Sequence, residues 1–178
     1  MNKIIIGRTK FIGCTLWSDI SSVSSIVENM MNDYKNIYIN SEVSVGRKVN
    51  FSNNYINKTR YIRPWRRLLS SQDVINYHIQ MKNFLINEIS NSDMETNLIV
   101  ITHHAPSFKM LDISDNLSCC YGSYCDDLMV EPVKYWISGH THTCKSVKIG
   151  STLCLSNCMG YPKQKVDNYN PNRYIEFD

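Results

Sequence analysis

A layered α/β domain is the fold this sequence predicts, on three observations. Two stretches carry apolar residues at helical spacing, several short runs of branched aliphatic residues read as strands, and the two kinds of segment alternate along the chain. The chain has 178 residues with 43% hydrophobic and 20% charged side chains and a formal net charge of +3, an ordinary globular composition. That composition excludes a disordered tail, a collagen-like fibre and a strongly cationic nucleic-acid surface. The length matches one domain, residues 1–178, at about 100–200 residues per domain.

Taken in order, residues 3–6 and 11–16 are apolar, β-branched runs joined by Gly7-Arg8-Thr9-Lys10, which reads as a hairpin. From Asp19, a good N-cap, the stripe Ile20, Val23, Ile26, Val27, Met30, Met31 and Tyr34 predicts one amphipathic helix. Residues 36–39 suit a short strand, and 40–67, rich in Asn, Ser and Arg without periodicity, read as a long surface loop. Residues 72–89 repeat the helical stripe at Ile75, Ile79, Leu85, Ile86 and Ile89, and 98–102 form a buried-strand run. After an irregular stretch over 103–122 come a short helix near 126–130 and a strand over 133–138 that ends at Gly139. Residues 147–149 and 153–155 flank Gly150-Ser151 as a second hairpin, and 174–177 suit a closing strand.

No apolar run approaches the roughly 18–20 residues that cross a bilayer, so no membrane partner is expected. The first residues, with three apolar side chains before Gly7 and Arg8, do not make a secretory core. Seven cysteines, an odd number without a C-x-x-C pair, read as free thiols in a reducing, cytoplasmic setting. The group Cys119-Cys120-x4-Cys125 is poorly spaced for zinc.

Four of the five histidines fall in two groups, His103-His104 after one predicted strand and His140-Thr141-His142 after another. Strand ends are where α/β folds place their sites. In extended backbone His140 and His142 would point the same way, toward one ion or two adjacent ions, with Gly139 letting the backbone approach. His78, on the second helix, reads as a packing or surface histidine.

The blocks Thr102-His103-His104-Ala105-Pro106-Ser107 and Gly139-His140-Thr141-His142 resemble the two C-terminal signature blocks of the calcineurin-like metallophosphoesterases. Phe11-Ile12-Gly13-Cys14-Thr15-Leu16-Trp17-Ser18-Asp19 and Asn157-Cys158-Met159-Gly160-Tyr161-Pro162 resemble flanking segments of a bacterial and phage branch of that superfamily. The resemblance implies a sandwich of two mixed sheets flanked by helices, and two divalent ions, manganese, iron or zinc. A hydroxide held between the ions attacks phosphorus in a phosphate mono- or diester. It assigns His103 and His140 to the second metal and His142 to the first, makes His104 catalytic or substrate-facing, and gives Asn157 and Tyr161 the orienting of ligands.

The family's three N-terminal blocks, Asp-x-His, Gly-Asp and Gly-Asn-His-Glu/Asp, are absent from this sequence. The expected fold is therefore an incomplete metallophosphoesterase-like sandwich without its N-terminal strands, with one ion or none in the chain alone. Asp19, Asp112 and Asp115 are the candidate substitute carboxylates. Exposed edges should lead to self-association, or to a partner chain that supplies the missing half. Two other classes compete: a non-catalytic remnant, and a nucleic-acid or phosphate-binding module built on Lys58-x-Arg60-Tyr61-x-Arg63-Pro64-Trp65-Arg66-Arg67, where cations and aromatics interleave. Metal stoichiometry separates them: two ions for the enzyme, one for the remnant, none for the binding module.

Overall fold

The computed structural model describes residues 1–41, 65–112 and 120–176. Its architecture is mixed α/β, with a six-stranded sheet and a separate two-stranded ribbon. In the large sheet, β1 (Asn2–Ile6), β2 (Thr9–Cys14), β5 (Asn97–Thr102), β6 (Val133–Ser138), β8 (Thr152–Ser156) and β7 (Ser146–Ile149) lie side by side in that order. β2, β5, β6 and β8 are mutually parallel, whereas β1 and β7 run antiparallel at the two edges. Strands β3 (Tyr38–Ser41) and β4 (Trp65–Leu68) make the ribbon.

Both hairpins form on two-residue turns, because Ile6 pairs with Thr9 and Ile149 with Thr152. Gly7 and Gly150 take φ of 58° and 57°, the left-handed backbone such turns require. The first hairpin is thus tighter than the expected four-residue link, and its second strand ends at Cys14, two residues before Leu16 adopts φ 50°.

Helix α3 (Ser71–Ser90) forms where its stripe predicts, although Ile79 and Ile86 of that stripe are exposed and Val74 and His78 are buried instead, and it starts at a capping box in which Ser70 and Asp73 each accept from the other's backbone N–H. Leu85 and Ile89 are buried from it against the sheet, in one cluster with Ile12, Leu98, Val100 and Trp136. Replacing Ser70 with Ala is expected to cost about 1 kcal/mol, measurable as a lower urea midpoint.

The single helix expected over 19–34 is instead two, α1 (Ser24–Met30) and α2 (Asp33–Asn36), with Met31 extended between them. Asp19 does not cap either; its carboxylate accepts from the backbone N–H and hydroxyl of Ser21, making a local turn. Part of the stripe nevertheless found its core: Ile20, Val27 and Tyr34 are buried with Leu69, Val74 and Cys120 in a second cluster, whereas Ile26 and Met30 are exposed.

Other segments also depart from expectation. The end of the 40–67 loop is strand β4, residues 126–130 hold only a short 3-10 turn at Asp126–Leu128, and 174–176 are irregular. That C-terminal stretch still covers the sheet: Tyr135 donates to the Glu176 carbonyl at 3.4 Å and Arg173 to the Ser156 carbonyl at 3.1 Å. The opposite end of the same face, over β1, β2 and β5, is open. It forms a concavity of about 650 Å³ lined by Met1, Ile4, Phe11, Ile101 and His103. Every residue of β1 is exposed, with Ile4, Ile5 and Ile6 each more than half accessible.

No helix among the described residues is long and apolar enough to cross a membrane. None of the six described cysteines forms a disulfide with another described residue.

Candidate functional site

Because β2, β5, β6 and β8 are parallel, their carboxyl ends lie along one rim. The register sets Cys14 beside Thr102, Ile101 beside Ile137 and Ser138 beside Ser156. The next residues of each strand therefore lie along that rim: Thr15, His103 and His104, Gly139 and His140, and Asn157. Backbone bonds lock them together, with the N–H groups of His103 and His104 both donating to the Thr15 carbonyl at 3.1 Å and Gly139 N–H to the His103 carbonyl at 3.0 Å.

Three histidines converge there. His103 Nε2 lies 3.2 Å from His140 Nδ1, and the His104 ring packs edge-on to His140 with centroids 4.1 Å apart. His104 is only 2% exposed, between Trp17 and the other two imidazoles. Two buried nitrogens, His104 Nδ1 and His140 Nε2, have no hydrogen-bond partner among the described residues. Burial, reinforced by the charges of His140 and His103, holds the His104 pKa well below its usual value. Burial, then His103, depresses His140 to about 4, while Asp33 pulls the other way. At neutral pH both rings are uncharged and can donate electron pairs.

His142 shares a polar cavity with His140, lined also by Asp33, Tyr121, Tyr161 and Gln164. The expected extended geometry does not bring them there. His140 and His142 take φ of 63° and 51°, left-handed backbone costing about 1–3 kcal/mol each, the kind of strain that collects at functional sites. Gly139 needs no such freedom, since a Cβ added to it would meet His103 Nδ1 at an ordinary 3.5 Å. Gln164 Oε1 accepts from Tyr161 N–H at 3.2 Å and stands 2.8 Å from His142 Nδ1. The Tyr161 ring packs edge-on to His142 at 4.5 Å.

The remaining sequence candidates divide. Asn157 spends its amide on the backbone of Asn170, accepting from its N–H and donating to its carbonyl, and so pins the C-terminal loop. His78 is buried, with Nδ1 against the Trp17 carbonyl, in the packing role expected. Asp112 pairs with Lys145 at 2.6 Å. Arg67 grips Asp73 through both terminal nitrogens, at 2.6 and 2.7 Å, which removes it from the predicted basic patch. Cys120 and Cys125 are buried. Asp115, Cys119 and residues 58–64 lie outside the described residues.

For a cation, the donors are right in kind and few in number. A neutral imidazole nitrogen buried without a partner is what a divalent ion would satisfy, yet among the described residues no three His, Cys, Asp or Glu side chains already gather round one point. Sequence reasoning missed Asp33 and Gln164. Asp33 sat inside an apparent helical stripe, and Gln164 in a stretch with no periodicity; only the cleft relates them to the histidines.

The chain is 29% identical over 184 residues to an uncharacterized protein, L509, of Acanthamoeba polyphaga mimivirus, covering 94% of this chain and 55% of that protein. The chain thus spans about half the length of the curated relative it matches. No protein-family profile and no solved structure matches it.

Proposed function

We propose that this chain is the histidine-bearing part of a metal-dependent phosphoesterase, hydrolysing phosphate mono- or diesters and incomplete when alone. The observation that carries the reading is the meeting of His103, His104 and His140 on one rim, where His104 Nδ1 and His140 Nε2 are buried without a partner among the described residues. Buried histidines without partners are costly, and the cost is recovered when a ligand occupies the site. His103, His140 and His142 would hold the metal, manganese, iron or zinc. Such an ion, when bound, supplies positive charge that neutralises a phosphate and makes nearby water more acidic.

The chain's own side chains prepare that site. Gln164 and Tyr161 fix the ring of His142, and the Thr15 carbonyl holds the backbone that presents His103 and His104. His104, which the resemblance makes catalytic or substrate-facing, is buried and uncharged against His140, and in this reading it backs the ligand histidines. Further ligands would come from a second copy or a separate polypeptide, and the open apolar face that ends at His103 is where it would dock. Free thiols accord with a reducing, intracellular setting.

The test is manganese-dependent hydrolysis of bis-p-nitrophenyl phosphate, with metal counted per chain by mass spectrometry. Two ions and turnover that disappears in His140→Ala are the expected result with the completing partner, and one ion or none for the chain alone. One ion or none without turnover, in both states, removes the enzymatic reading.

A further inference from the structure

Strand β1 is an unprotected sheet edge. Among the described residues it pairs with β2 alone, in a register without a bulge from Asn2–Gly13 to Ile6–Thr9, and all of its residues are exposed. Sheet edges are ordinarily guarded by proline, a bulge or an outward lysine, because a row of unpaired N–H and C=O groups is a template for another strand. β1 has no proline and no bulge, and its single charge, Lys3, is drawn back to Glu88 at 2.8 Å. The opposite edge, β7, is guarded by exposed Ser146 and Lys148.

The two-residue turn fixes which backbone groups face outward. The flanking pair Ile6–Thr9 exchanges hydrogen bonds, and so does every second pair from it, so Asn2, Ile4 and Ile6 spend their backbone groups on β2. Lys3 and Ile5 therefore turn their N–H and C=O groups away from the sheet. Their side chains lie on the helix-covered face with Glu88, whereas Ile4 and Ile6 lie on the other, where Ile4 also lines the open concavity.

We propose that a second copy of this chain pairs with β1 edge to edge, antiparallel about a twofold axis at Ile4, and joins two six-stranded sheets into one. In that register Lys3 exchanges backbone bonds with the partner's Ile5, and Ile5 with the partner's Lys3, so every outward group of those residues is satisfied. The two Ile4 side chains meet at the axis, a pairing of branched aliphatics that suits cross-strand packing. A register centred on Ile5 would instead set Lys3 against Gly7, which the turn takes out of extended backbone.

Two observations name a second copy as the occupant. The edge is its own complement about a single residue, the condition for an isologous contact. It is also large enough: Met1, Ile4, Ile5, Ile6 and Ile101 are each between 43% and 68% exposed, at about 100 Å² apiece, and with the backbone edge and the lip of the concavity they approach the roughly 800 Å² per partner of a standard interface. The inference goes beyond the phosphoesterase reading and does not depend on it, since it concerns the strand edge and not the histidines.

The experiment is sedimentation equilibrium of the full chain from micromolar to submillimolar concentrations, with thermal unfolding to confirm that each variant is folded. The parent is expected to dimerise in that range. Ile5→Pro removes an outward N–H and no bond to β2, and should weaken dimerisation roughly 10–100-fold through the hydrogen bond lost from each copy. If Ile5→Pro does not fold, Ile5→Lys takes its place, because it sets a cation opposite the partner's Lys3. Ile26→Lys, on the exposed surface of α1, should dimerise as the parent does. Oxidation reads the register: the two Ile4 Cα atoms would stand about 4.5 Å apart, within disulfide reach, so Ile4→Cys should cross-link into a covalent dimer and Ile6→Cys should not. A parent that stays monomeric overturns the proposal. So does a dimer that cross-links at Ile6→Cys and not at Ile4→Cys, or one that the folded Ile5 variant leaves as tight as before.

Discussion

Trp136→Ala is expected to lower the unfolding free energy by about 3–5 kcal/mol, as truncations of large buried aromatics do. Trp136 is fully buried at the centre of the sheet, on β6 between β5 and β8. Its indole N–H donates to Thr102 Oγ1 at 3.0 Å, and Thr102 Oγ1 donates in turn to the His104 carbonyl at 2.8 Å. The same side chain thus fills the core and steadies the backbone that presents the buried histidine. Urea unfolding of Trp136→Ala and Trp136→Phe separates the two roles. The Phe variant keeps most of the volume and should lose about 1 kcal/mol with the hydrogen bond. Similar stability in parent and Ala variant would mean that the site is not built on this core.

Glu88→Gln is the second large effect, expected to cost about 3 kcal/mol at neutral pH, the low end for breaking a buried ion pair. Lys10, on the helix-covered face of β2, is only 11% exposed in its side chain and Glu88 only 9%, and they meet at 2.8 Å. Lys3 joins at 2.8 Å from the edge strand. The loss is moderated because Lys10 also donates to the Glu88 carbonyl and to Ser92 Oγ.

The pH dependence has a definite sign. Hydrogen bonds from Lys10, then Lys3, lower the Glu88 pKa below its usual 4.5. A carboxylate with a lowered folded pKa contributes stability above its unfolded value and loses it as pH falls through the folded one. Parent and Glu88→Gln should therefore differ most at neutral pH and draw together in acid below 4.5. Unfolding curves at several pH values test this, and a difference that persists unchanged in acid would refute the ion-pair account.

Much of the fold was legible locally because local rules govern it. Helix α3 was readable from its stripe, Gly7 and Gly150 from turn chemistry, and β5 from its unbroken aliphatic run. The break between α1 and α2 was not, because the apolar stripe across Met31 continues in sequence while the backbone does not. The stripe located Ile20, Val27 and Tyr34 in the core but not the exposed Ile26 and Met30, and both a helix and two short pieces can satisfy it. Strand β4 was hidden for a related reason: its pattern, Trp65-Arg66-Arg67-Leu68, is mostly polar, and its partner strand is distant in the chain.

The site divides in the same way. By itself the sequence determined the histidines and their positions at strand ends, because chemistry of that kind needs those residue types and strand runs are read from composition. Only the tertiary structure decided that β5 and β6 are parallel neighbours in a register that sets His103 against His140. It alone turned His140 and His142 into one cleft through left-handed backbone, and set Asp33 and Gln164 beside them from segments far apart in sequence. Strand pairing and loop return bring together residues that no local periodicity connects, so contacts across the cleft are a property of the packed chain.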